Sequence, residues 1–333
     1  MEASGLALFW AGVMGLAIML YTILDGFDLG VGVLFGTTQD EPMRDQMMDS
    51  IAPFWDGNET WLVAVGAGLF AAFPDVYAVF CSAFYLPVLL LLIGLIFRGI
   101  AFEFRYRSTR MRPVWDRGFY IGSMVVAFVQ GAAVGSLMRG IPVVNGQYAG
   151  TSVSWLHPFS ILTGFGLVLG YALLGAGWLV YKNQGRSRDW AYARVRPLAI
   201  GVLIVLAVAF LSTLHFGTVA RNGLHARPWG YVFPLISLLA LFSVIFGARG
   251  KRDQLPFALT VVFFIASFLT LAVMFWPYMI PYSITVASAA APDVSLRFWL
   301  YGGALVLPVI LAYTIGVYRI FRGKMQKTEM SVN

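Results

Sequence analysis

Apolar residues fill this chain in long runs separated by short polar connections. Nine such runs predict membrane helices over about 6–35, 58–73, 77–102, 118–138, 156–181, 197–217, 229–248, 256–280 and 298–321. A helix crossing a bilayer needs about 20 mostly apolar residues and satisfies its own backbone hydrogen bonds. Pro53, Pro158, Pro197, Pro228 and Pro256 stand near starts of runs, where a missing N–H does little harm. Pro87, Pro234, Pro277 and Pro308 lie within or near interiors and predict kinks. The first run, Leu6 to Leu24, is too long for a signal-peptide core, and its leader carries Glu2 without Lys or Arg. It reads as a retained span. The longest gaps, 36–57 and 139–155, are too short for a soluble domain, so 1–333 reads as a single all-α, polytopic membrane domain.

Composition supports that reading. The chain is 59% hydrophobic and 12% charged, about half the charge of an ordinary soluble domain. The net charge of +7 sits between spans, which suits an orientation signal better than a nucleic-acid surface. Seventeen of the 23 basic residues follow the third, fifth, seventh and ninth runs, from Arg105 and Arg107 to Arg322 and Lys327. Arg139, Arg221, Arg227 and Arg297 lie on the other side. The positive-inside rule places the N-terminus outside and the C-terminus in the cytoplasm. Residues 36–57 are then a cytoplasmic loop. The lone Cys81 excludes an internal disulfide and any multi-cysteine metal or iron–sulfur site.

The acidic residues carry the candidate chemistry. The first run ends YTILDGFDLGVGVLFG, which puts Asp25 and Asp28 three apart on one helix face. Asp25 lies roughly 28 Å beyond Leu6, near the cytoplasmic edge of the hydrocarbon. Gly26, Gly30 and Gly32 offer a small-residue face suited to a tightly packed partner helix. Asp56 and Glu59 stand at the same level between Trp55 and Trp61, and Arg98 is the cation placed to compensate them. Two readings compete. Asp56-Gly57-Asn58-Glu59 fits a capping box, and Asp25 and Asp28 fit an interfacial helix end. Four carboxylates and an arginine at one depth also fit a hydrated, proton-accepting cluster, because carboxylates inside a membrane usually face a cavity or a partner.

Other sites are sparse. His157, His215 and His225 are peripheral to the runs except His215, which argues against several haems in this chain. Most tryptophans fall near run ends, as an interfacial belt does. Trp55 and Trp61 are the candidates for quinone or interface contacts. Nothing matches a phosphate loop, a zinc motif or a nucleophile elbow.

DGFDLGVGVLFG and SIAPFWDGNETWLVAVGAGLFAAFP together resemble subunit II of the cytochrome bd-type quinol oxidases. FYLPVLLLLIGLIFRGIAFEFR continues the likeness, and APFWDGNETWL is most similar to the cyanide-insensitive branch. Asp49 stands where relatives often have Asn. The resemblance implies two four-helix bundles plus a peripheral helix in a bacterial inner-membrane complex that oxidises quinol and reduces O2 to water. It assigns haems b and d, or b-type haem only, to a partner, subunit I. It leaves this chain haem-free, stabilising subunit I and lining a cytoplasmic proton path in which Asp56 leads and Asp25, Asp28 and Glu59 are companions. Some members hold a structural quinone, and a small single-span accessory subunit stays open. The rival reading is an ion-coupled secondary transporter, which should show inverted repeats and helices broken at mid-membrane.

Overall fold

The computed structural model describes residues 3–107, 110–215, 223–247 and 252–325, without the side chains of residues 215, 223 and 225. Helix α1 (Gly5–Phe35) starts where the Ser4 hydroxyl accepts the Ala7 N–H. It runs roughly 46 Å, well beyond a hydrocarbon core of ~30 Å. Then come α2 (Glu41–Ile51), α3 (Trp55–Ala72), α4 (Pro74–Ala83), α5 (Tyr85–Phe104) and α6 (Arg112–Arg139). A hairpin of β1 (Val143–Val144) and β2 (Gln147–Tyr148) leads to α7 (Pro158–Lys182), α8 (Gly185–His215), α9 (Gly223–Ala226), α10 (Val232–Gly247) and α11 (Leu255–Phe275). A second hairpin, β3 (Tyr278–Ile280) with β4 (Ile284–Thr285), precedes α12 (Val286–Ala289) and α13 (Asp293–Ile320).

Among the described residues eight helices are long and apolar enough to cross a membrane: α1, α5, α6, α7, α8, α10 with its preceding turn, α11 and α13. Helix α3, roughly 27 Å long, falls short of that test because Asp56, Asn58, Glu59 and Thr60 occupy its first turns.

The run 77–102 is not one helix. It breaks at Phe84, between α4 and α5, because Pro87 lacks an N–H and its ring opposes the carbonyl of residue 83. The run 256–280 stops at Phe275, ahead of Pro277, and its last residues form β3. Helix α8 instead starts twelve residues before Pro197 and carries that proline inside it. The segment 36–57 is no plain loop: Asp40 caps α2 by accepting the Met43 N–H.

Helices α1, α3, α5 and α6 pack as one bundle and α7, α8, α10 and α11 as another, joined where α7 meets α1 and α6. Helix α13 lies outside, against α3 and α1, with Leu296 and Gly303 as its buried residues. The bundles touch backbone to backbone: a Cβ on Gly30 would stand 1.7 Å from the Tyr171 carbonyl oxygen. The small-residue face of α1 is therefore filled from within the chain. Gly26 meets the Tyr171 ring and Gly32 meets Ser123, so this face is not left for a partner helix.

Part of the basic end is paired within the chain. Arg105 donates to Asp116 at 2.6 Å, to Glu41 at 3.0 Å and also to Asp45. Arg112 pairs with Asp45 and Glu41, and Arg44 with Asp116 and Glu41. The Arg44 and Arg105 guanidiniums also lie over the Phe35 ring. Three arginines and three carboxylates thus clamp α2 onto α5 and α6. The end of α13 is tied down nearby, where buried Lys182 donates to the Phe321 and Gly323 carbonyls and Lys324 pairs with Asp253.

Candidate functional site

Asp25, Asp28 and Arg98 have no solvent exposure. Arg98 reaches from α5 between α1 and α3. Its Nη2 donates to Asp25 Oδ1 at 2.6 Å and stands 3.1 Å from Glu59 Oε1. The second contact is an ion pair without hydrogen-bond alignment, since Glu59 Oε1 lacks a hydrogen-bond partner. The Glu59 side chain is 23% exposed, so one guanidinium joins an accessible carboxylate to a sealed one.

Asp28 is held differently. Its Oδ2 accepts from Asn58 Nδ2 at 2.7 Å, and the same amide donates to the Leu24 carbonyl at 3.1 Å. Asn58 Oδ1 accepts from the Tyr318 hydroxyl at 3.1 Å. A second polar group begins one turn before Asp25. Gln130 Nε2 donates to the Tyr21 hydroxyl at 2.7 Å, and the Tyr171 hydroxyl donates to Gln130 Oε1 at 2.8 Å.

Asp25 Oδ2, Asp28 Oδ1, Arg98 Nε and Arg98 Nη1 are buried without a hydrogen-bond partner among the described residues. Buried polar atoms are nearly always paired, because each unmatched one costs about 1–3 kcal/mol. With Glu59 Oε1, five such atoms gather at this one site.

The sequence-derived candidates separate here. Asp25 and Glu59 meet on Arg98, and Asp28 lies beside them on Asn58. Asp56 is exposed in the first turn of α3. The capping-box reading is corrected: the helix begins at Trp55, its cap residue is Phe54, and no side-chain cap bond forms. Trp55 stacks on Phe102 with ring centroids 5.0 Å apart. Trp61 is 2% exposed and packs with Ala17 and Tyr21, so it offers no surface to a quinone or a partner. Asn58, Tyr318, Tyr21, Gln130 and Tyr171 were missed. Asn58 lies in the WDGNET motif between Asp56 and Glu59, but nothing local marks Tyr318, 260 positions away.

His157 caps α7, its Nδ1 accepting the Phe159 N–H, while the side chains of His215 and His225 lie outside the described residues. Among the described residues no group of three His, Cys, Asp or Glu has metal-binding geometry. A groove of about 230 Å³ between α1 and α13 is lined by Phe9, Trp10, Leu300, Gly303, Ala304, Leu307 and Pro308. It offers no donor to a quinone carbonyl, because Trp10 Nε1 already donates to the Leu296 carbonyl.

Comparison with known proteins agrees with this architecture. The family described as cytochrome bd terminal oxidase subunit II matches residues 6–321. The chain is 30% identical to cytochrome bd-I ubiquinol oxidase subunit 2 of Escherichia coli, covering 97% of this chain and 96% of that protein. It is 28% identical to cytochrome bd ubiquinol oxidase subunit 2 of Bacillus subtilis, covering 96% and 97%. The fold is similar to a chain of the bd oxidase from Geobacillus thermodenitrificans, with a TM-score of 0.78, 16% identity, and coverage of 96% and 99%. With a family match across nearly its whole length, this multi-span membrane chain belongs to the family of cytochrome bd terminal oxidase subunit II.

Proposed function

We propose that this chain is the haem-free subunit of a bacterial inner-membrane quinol:O2 oxidoreductase and that it carries protons from the cytoplasm toward a haem-bearing subunit I. The basic end is taken as cytoplasmic by the positive-inside rule. Electron transfer to O2 is the work of haems b and d, or of b-type haem alone, in subunit I.

The observation that carries the reading is Arg98, in contact with partly exposed Glu59 and sealed Asp25 at once. Asp56, exposed at the start of α3, is the collecting group. Glu59 follows three positions later on the same helix face and takes the proton inward. Arg98 holds the Glu59 and Asp25 carboxylates within reach of one another. One guanidinium balances one carboxylate, and leaving further charges buried and unpaired would cost several kcal/mol. The cluster therefore holds protons and exchanges them. The unpartnered Asp25 Oδ2 and Asp28 Oδ1 are the atoms free to do so.

The exposed apolar faces of α8 and α13 leave room for subunit I, lipid, a quinone tail and a small single-span accessory subunit. The transporter reading is not favoured, since the full-length similarity is to oxidase subunits. The test is Glu59→Gln in the purified, assembled oxidase. Quinol-driven O2 consumption should fall about a hundredfold with the complex intact, the low end of the range for a lost acid–base group. Wild-type turnover in the assembled variant would overturn the reading.

A further inference from the structure

We infer that Tyr318, on the outer helix α13, is a positioning residue for Asp28 and acts through Asn58. The inference rests on the proton-delivery reading above. A carboxamide has two N–H donors and one acceptor oxygen. Those of Asn58 are all engaged: Nδ2 on Asp28 Oδ2 and the Leu24 carbonyl, Oδ1 by the Tyr318 hydroxyl. While Asp28 is ionised, its own charge keeps the amide N–H toward it. Once Asp28 takes up a proton, a flipped amide becomes competitive, because a carboxylic O–H can donate to Asn58 Oδ1. The Leu24 carbonyl, which can only accept, and the Tyr318 hydroxyl donating to Oδ1 together hold Asn58 as a donor in both protonation states. The proton on Asp28 is then kept off Oδ2 and sits on Oδ1, the atom without a partner. Asn58 itself need not change orientation during turnover.

The fold explains how an outer helix serves a buried acid. The Tyr318 ring lies 4.7 Å from Phe54, 6.3 Å from Trp178 and 6.4 Å from Phe27, centroid to centroid. Three residues on, the chain is tethered by Lys182 at the Phe321 and Gly323 carbonyls. The charged groups acting on Asp28 are Arg98 from α5, Glu59 from α3 and Asp25 on its own helix. Tyr318 adds a neutral donor from a fourth helix.

The experiment uses the assembled oxidase. Tyr318→Phe keeps the ring and removes only the hydroxyl. The Asp28 stretching band in the infrared spectrum is identified by its loss in Asp28→Asn. In Tyr318→Phe that band should shift in frequency, and turnover should drop about threefold to tenfold, the range of a single hydrogen bond. In an Asn58→Ala background the same substitution should add nothing, because both changes act on one contact. An unmoved Asp28 band, or the full Tyr318→Phe effect without Asn58, overturns the inference. If Asn58→Ala fails to assemble, the infrared result decides alone. A shifted band with wild-type turnover in Asp28→Asn would keep the contact and sink the proton-delivery reading instead.

Discussion

Arg98 donates a 2.6 Å hydrogen bond to Asp25 where neither side chain has any exposure, and the two lie 73 positions apart. A charge pair this deep is stable only as a pair. Removing one member leaves the other buried and uncompensated, at a cost of about 3–5 kcal/mol.

Arg98→Leu should therefore reduce assembled complex severely and lower its thermal transition, read by native electrophoresis and a melting scan. Arg98→Lys should recover part of the loss. Its ammonium keeps the charge but lacks the planar fork that meets two carboxylates at once. Equal behaviour of the two variants would contradict the pairing.

Asp56 is exposed and makes no cap. Asp56→Asn should leave assembly and thermal stability within ~0.5 kcal/mol of wild type, as surface changes do. Its effect should appear as slower quinol-driven O2 consumption, smaller than that of Glu59→Gln because Asp56 is exposed and water can substitute for it. Loss of assembly in Asp56→Ala, with Asp56→Asn still assembled, would restore the capping role, because Asn caps as well as Asp and Ala does not.

Arg105 is fully buried among Glu41, Asp45 and Asp116. Arg105→Ala should loosen α2 from α5 and α6, while Arg44 and Arg112 still pair with the three carboxylates. Amide hydrogen exchange over 41–51 should accelerate, with far less change in α7. Wild-type protection of α2 in the variant would show that its apolar face suffices to hold it.

Asp253 ties Arg188 and Lys324 together near the end of α13. The Arg188 hydrogen bonds, helped by Lys324 and opposed by partial burial, hold its carboxyl below the ordinary value. A folded value below the unfolded one means the stabilisation is present above about pH 4 and is lost as pH falls through the folded value. Proteolysis between α13 and the chain end should thus rise on strong acidification, and Asp253→Asn should show the same cleavage at neutral pH. A susceptibility independent of pH would remove Asp253 from the tether.

Local sequence determined what depends on local composition. Runs of apolar residues specified an all-α membrane chain, because a bilayer admits only segments that satisfy their own backbone. The motif around Asp25, Asp28, Asp56 and Glu59 pointed to its family. Hydropathy averages over a window, so it joined α4 to α5 across the break ahead of Pro87 and missed the short amphipathic α2. Tertiary structure alone decided which groups meet. It placed Arg98 on Asp25 and Glu59, set Asp56 apart in the open, and turned the glycine face of α1 toward α6 and α7. It also brought Tyr318 to Asn58 across 260 positions. Side-chain pairing inside a bundle follows from how helices cross, and crossings arise from packing between segments far apart in the chain, which no window of sequence contains.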